Sequence, residues 1–189
     1  MQDTPRRSQK DRSETMRAAL LRAGRKLFIE RGFSATGTPE IVAEAGVTRG
    51  ALYHHFADKE ALFAAVIRAE AEAIAAEIES SGNPGLSPID ALILGGEAFL
   101  ATMRIPGRAR LMLVEAPAAL PPETLADIDA ATGGRTLEEG LRAAGVKQAR
   151  IPATLLSAAY DRAALAIDRG DPPEPWHQAL RQLVRGVVG

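Results

Sequence analysis

Apolar residues recur at helical steps along the whole chain while strand signals are nearly missing, and that pattern confines it to an all-α fold. Met16, Leu20, Ala23 and Leu27 recur at steps of four and three, the stripe of a helix that Gly32 stops. Thr38 followed by Pro39 reads as the N-cap and first-turn proline of a short second helix, PEIVAEA, which Gly46 breaks. Thr48 caps a third helix, RGALYHHF, and Asp58 caps a fourth that runs to about Glu79. That fourth helix carries Leu62, Val66, Ala69 and Ala73 on one line and Phe63, Ile67, Ile74 and Ile78 beside it. Two adjacent apolar lines make a wide buried face, expected to serve both a head and a body.

After the SSGNPG loop, Ser87-Pro88 opens a helix with Ile89, Leu92, Ile93, Gly96, Phe99, Leu100 and Met103 in a three-four pattern. Prolines and Gly107 break the segment from Pro106 to Pro122, leaving one short helix, RARLMLVEA, between kinks. A single helix is expected from about Glu123 to Ala144, its middle weakened at Gly133-Gly134 by roughly 1 kcal/mol per glycine. Two more helices, about 151–169 and 174–188, flank GDPPEP. No fixed-period repeat occurs, so a solenoid is not expected. The reading is about nine helices: a basic arm over 1–12, a helix-turn-helix head over 13–57 and a helical body over 58–189.

Composition narrows the function classes. Hydrophobic residues are 46% and charged residues 25% of the 189, ordinary figures for a globular chain with a real core. Cysteine is absent, which removes disulfides, thiolate metal sites and cysteine nucleophiles and fits a cytoplasmic protein. No apolar run reaches the length of a membrane span, and the polar N-terminus lacks the apolar core of a secretory signal. The net charge of −1 conceals a gradient. Residues 1–59 hold 11 Lys/Arg against 7 Asp/Glu, whereas 60–189 hold 12 against 17, so the first third faces an anion.

Five of the eight aromatic residues, Phe28, Phe33, Tyr53, Phe56 and Phe63, fall within 28–63, where a small three-helix module needs bulk for its core. Tyr53 is the exception, with polar neighbours on a helix too short to bury every face. Ile41, Val42 and Ala45 pack the first short helix, Gly46 turns the chain, Val47 plugs the corner, and Leu52 with Phe56 anchors the second. Arg49, Gly50, Tyr53 and His54 are left outward, on a helix sized for a B-DNA major groove. Enzymatic readings find no support. His54 and His55 point about a hundred degrees apart on a helix, His177 is remote, and no metalloprotease, nucleophile-elbow, dinucleotide or P-loop motif occurs. Acidic pairs such as Glu70/Glu72 and Glu138/Glu139 read as solvated faces. No enzyme activity, metal or cofactor is expected.

The run TPEIVAEAGVTRGALYHHFADKEALF, with FIERGF before it, resembles the signature of the TetR family of bacterial transcriptional regulators, specifically over roughly residues 14–66. Val42, where the family more often has alanine, departs mildly. The resemblance implies that Thr38 touches a phosphate, that Thr48 caps the recognition helix and also meets the backbone, and that Tyr53 and His54 form a phosphate-contacting pair. It further implies Lys59 as a phosphate clamp, with Gly50 permitting close approach. Arg49 is assigned as the base reader, because a guanidinium pairs with O6 and N7 of guanine. Arg6, Arg7, Lys10 and Arg12 form either a minor-groove arm or a solvated tail.

For the body the resemblance implies dimerisation through the last two helices and a pocket for a small-molecule effector. Ala158, Ala159 and Ala163 would let helices approach, and Trp176, Leu180, Leu183 and Val187 would supply apolar area at the dimer interface. Phe99, Met103, Met112 and Tyr160 are assigned to the pocket wall and Glu115 to a polar anchor. The expected function is a homodimeric repressor on palindromic double-stranded DNA, released by its ligand. The alternative is a DNA-binding regulator controlled by a protein partner, without a small-molecule pocket.

Overall fold

In the computed structural model, which describes residues 9–189, α1 runs Gln9–Arg31 and ends at Gly32. There φ is 82°, and the Gly32 N–H donates to the Phe28 carbonyl at 2.9 Å. Lys10 and Arg12 therefore belong to a helix and not to a free arm; Arg6 and Arg7 lie outside the described residues. Next come α2 (Thr38–Ala45), α3 (Arg49–His55) and α4 (Lys59–Ser80). The N-cap of α2 is Gly37, a correction to the expectation for Thr38, which is the first helical residue. Glu40 caps in its place: its Oε2 accepts the Gly37 N–H at 2.9 Å. Gly46 closes α2 at φ 65°, and Val47 N–H reaches back to the Val42 carbonyl at 3.1 Å. A Cβ there would meet no atom within 4 Å, so it is the left-handed backbone that demands glycine.

The chain divides into two compact units between Ile67 and Arg68, where the sequence reading divided it at 57/58. The first unit extends into α4 because Leu62, Phe63, Val66 and Ile67 are buried, with Leu62 and Val66 lying against Gly24 of α1. Phe28 meets the Phe63 ring edge-on with centroids 4.9 Å apart, and Phe33 lies 4.8 Å from Phe63. Leu20, Leu27, Ile41, Leu52 and Phe56 complete the core. Burying each of these large side chains stabilises the fold by about 1.5–3 kcal/mol.

The second unit contains α5 (Pro88–Met103), α6 (Arg108–Arg110), a π-helical turn (Leu111–Glu115), α7 (Ala116–Ala119), α8 (Pro122–Ala131), α9 (Gly133–Ala143), α10 (Arg150–Asp168) and α11 (Pro173–Val188). The π turn has a local cause. Pro117 has no N–H and its ring crowds the carbonyl four residues back, so the ladder widens before it. The Ala116 N–H then bonds the Leu111 carbonyl, five residues back, and both side chains are buried. The helix expected over 123–144 is two helices, broken at Thr132 with φ −132° and ψ −111°. The two glycines that follow offer too little helix propensity to carry α8 through. Leu92, Leu100, Met103, Leu141, Leu156, Tyr160, Leu180 and Val184 gather in the core of this unit.

An ion-pair network missed by the sequence reading joins α4, α5 and α6. Glu70, read as solvated, is buried, and its Oε2 accepts from Arg108 Nε at 3.0 Å. Glu77 accepts from the other end of the guanidinium at 3.3 Å and from the Thr102 hydroxyl at 2.5 Å. The Thr102 hydrogen bond, then Arg108, hold the Glu77 carboxyl below its ordinary range. A signal existed: Glu70 and Glu77 stand seven apart on α4, in line with buried Phe63. Among the described residues no helix is long and apolar enough to cross a membrane.

Candidate nucleic-acid interface

The second short helix begins where the sequence reading put it. Thr48 is extended at φ −84° and ψ 157°, and its hydroxyl accepts the Ala51 N–H at 3.2 Å. Asp58 caps α4 in the same way, accepting the Ala61 N–H at 2.7 Å. Leu52 and Phe56 point into the core, which turns the opposite side of α3 to solvent. On that side Arg49, Gly50, Tyr53 and His54 are exposed, Tyr53 at 43%. A Cβ on Gly50 would have only the Thr48 hydroxyl within 4 Å, at 3.9 Å, so nothing in the protein fills the space before it.

Three of the candidate residues converge. The Arg49 guanidinium carbon stands 5.5 Å from the centre of the Tyr53 ring. Hydrogen bonds from Arg49 and then Thr38 hold the Tyr53 phenol below its ordinary pKa, so Thr38 at the start of α2 reaches the same phenol. These are a cation, an aromatic hydroxyl and a threonine hydroxyl, the donor set that phosphodiester oxygens accept from. His54 is exposed beside them, its ring 5.2 Å from that of His55. His55 turns inward, and its Nε2 is buried without a hydrogen-bond partner. Burial, then His54 and Arg17, keep its pKa below the usual histidine value.

Lys59 is corrected. Its ammonium donates to the carbonyls of Phe33 at 2.9 Å and Thr36 at 3.0 Å and stands 4.1 Å from the centre of the Phe33 ring. Thr36, itself buried, donates its hydroxyl to the Gly32 carbonyl at 2.8 Å. The turn between α1 and α2 exposes carbonyls that no helix satisfies, and Lys59 with Thr36 satisfies them. Two of the three ammonium protons are thereby committed within the protein.

In the second unit the candidate side chains scatter. Met103 is core at 2% exposure, Phe99 and Met112 pack against the core half-buried, and Glu115 accepts from Arg110 at 2.9 Å. Tyr160 lines a shallow groove beside Ile93, Glu97, Leu100, His177, Leu180 and Arg181. Its hydroxyl presses onto Gly96, where a Cβ would come within 2.0 Å of it, and burial followed by the nearby Glu97 pushes its pKa up to about 12. Glu97 accepts from Arg181 Nε at 2.7 Å.

The candidate dimer residues divide. Ala163 and Leu180 are buried in the core of this unit, and Ala159, Trp176 and Val187 are half-buried against it. A helix face that carries the monomer core is not available to a partner. Leu183 is exposed at 49%, and Ala158 is exposed on α10. Ile151 and Leu155, outside that set, are exposed at 71% and 67% and stand in line with Ala158 along α10.

The family of bacterial regulatory proteins named tetR matches residues 20–66, the head just described. Over 62 residues the chain is 45% identical to the HTH-type transcriptional repressor BepR of Brucella suis, a match that covers 33% of this chain and 29% of that repressor. The chain thus aligns with under a third of that relative's own length. In fold it is similar to a TetR-family transcriptional regulator from Streptomyces coelicolor, with a TM-score of 0.71 at 24% identity, covering 93% of this chain and 95% of the other. RolR in complex with resorcinol gives a TM-score of 0.71 at 16% identity over 96% of each chain. The N-terminal helices of this chain thus match the tetR family of bacterial regulatory proteins over residues 20–66, and its whole length is similar in fold to a solved TetR-family regulator.

Proposed function

We propose that this protein is a sequence-specific DNA-binding transcriptional regulator, a repressor and not an enzyme, that acts as a homodimer. The observation that carries the reading is the solvent face of α3, where Arg49, Gly50, Tyr53 and His54 stand exposed with Thr38 reaching Tyr53. Arg49 reads a guanine edge; Thr38, Thr48, Tyr53 and His54 grip phosphates. The relatives named repressors over this same segment support it. In the dimer, Ile151, Leu155 and Ala158 of α10 with Leu183 of α11 form the apolar strip against the second copy. Two-fold symmetry then presents two recognition helices about one DNA turn, 34–36 Å, apart.

Release by a small molecule in the body is the regulatory part of the reading. RolR, of the same fold, is named with resorcinol as its ligand. In this chain the groove at Tyr160, bordered by the Glu97–Arg181 pair, is the starting point for a ligand. A ligand that prefers the body conformation unsuited to DNA lowers operator affinity by its differential affinity for the two states.

Selection of bound duplexes from a random pool tests the first part. Enrichment of a palindrome is expected, and failure to enrich any duplex at low salt overturns it. A thermal-shift screen of small metabolites tests the second; a flat response across the screen would favour control by a protein partner instead.

A further inference from the structure

We propose that Arg17 of α1 is a DNA-backbone clamp of the head, gripping a phosphate beside the C-terminal end of α3. The inference rests on the DNA-binding reading above and supplies a contact that reading lacks. A helix in a major groove about 12 Å wide runs between the phosphates of two strands, so a firmly seated head needs donors at more than one border of that helix. Thr38 and Tyr53 serve one border. Lys59 spends two of its three ammonium protons on the carbonyls of Phe33 and Thr36.

Arg17 has the properties that Lys59 gave up. It is exposed, and its guanidinium carbon stands 5.5 Å from the centre of the Phe56 ring, at the residue that closes α3. It lies close enough to His55 to oppose a positive charge there. Three other cations on the same helix are paired: Lys26 with Glu44 at 2.8 Å, Arg31 with Glu40, and Lys10 with Glu14 at 4.0 Å. Arg17 pairs with no described carboxylate. A guanidinium held over an aromatic ring is partly ordered while its N–H groups stay open to an anion, so less freedom is lost when a phosphate arrives.

A purely structural alternative exists, since a cation near a helix C-terminus also answers the helix dipole. The test separates the two. Operator affinity of the full-length protein is measured across a salt series for wild type, Arg17→Met and Arg17→Lys, on a duplex selected by the wild type, with thermal midpoints recorded in parallel. Methionine keeps the apolar stack on Phe56 and removes the charge. Each lost phosphate contact lowers the log–log salt slope by about 0.9, so between 50 and 200 mM salt the Met variant should lose roughly threefold less affinity per head than wild type. The Lys variant should keep most of the slope, and all midpoints should stay together. A wild-type slope in Arg17→Met, or a loss shared by both variants with a lowered midpoint, overturns the clamp alone. A wild type that selects no duplex overturns the DNA-binding reading along with it.

Discussion

A lysine opening the helix that follows a helix-turn-helix looks like a phosphate ligand, yet Lys59 points back into its own domain. The reason lies in the turn between α1 and α2, whose carbonyls at Phe33 and Thr36 need donors, and an ammonium on a four-carbon stem can reach both. Spacing along the chain carries no trace of this, because Phe33 and Lys59 meet only after α4 has folded back on α1. Lys59→Met should therefore lower the stability of the head by about 1–3 kcal/mol, as two carbonyls lose a charged donor. Urea titration reads the loss, and the salt slope of DNA binding should stay near that of wild type. Thr48 is the opposite case: its capping role was legible from its place before RGALYHH, because an N-cap acts over three residues.

Elements show the same division. Helices marked by a cap, an apolar stripe or a glycine stop could be read directly, as α1, α3 and α5 were, since each signal lies within a turn or two of the residue it controls. The π turn at Leu111–Glu115 and the break at Thr132 were not, because whether a weak point kinks or carries through depends on what packs against it. Glu70 read as solvated, yet Arg108 reaches it from α6 and Glu77 with it. Arg108→Met would leave buried Glu70 facing an apolar replacement, so it should destabilise the second unit by about 3–5 kcal/mol. Denaturant unfolding followed by Trp176 fluorescence, the single tryptophan of the chain, checks this. A change below ~1 kcal/mol would mean that the network contributes little.

At the scale of the molecule, the two units should answer acid in opposite directions. In the head, His55 is held below its usual pKa, so the unfolded chain binds the proton first. Stability from this group is complete above about pH 6.5 and declines as pH falls below it. In the body, burial and then Asp129 push Asp161 up to about 6. The folded unit binds that proton first, so the body gains stability as pH falls from about 6 toward about 3.9. His55→Gln should flatten the first slope and Asp161→Asn the second, in urea titrations at a series of pH values. Assembly is the other property of this scale. Leu155→Glu, at a position 67% exposed in the single chain, should leave the fold intact and give monomers by light scattering, with weaker operator binding. A Leu155→Glu protein that remains dimeric would move the interface elsewhere.

The sequence by itself determined the all-α class, most helix boundaries, the turn at Gly46 and the outward set on α3, because caps, stops and helical faces are decided by residues within a turn or two of one another. Tertiary structure decided which cation stays free beside α3, which carboxylates pair with Arg108, and which apolar residues of α10 and α11 the body keeps for its own core. Those outcomes turn on which residues far apart in the chain compete for the same space, donor or charge, and periodicity holds no record of that competition.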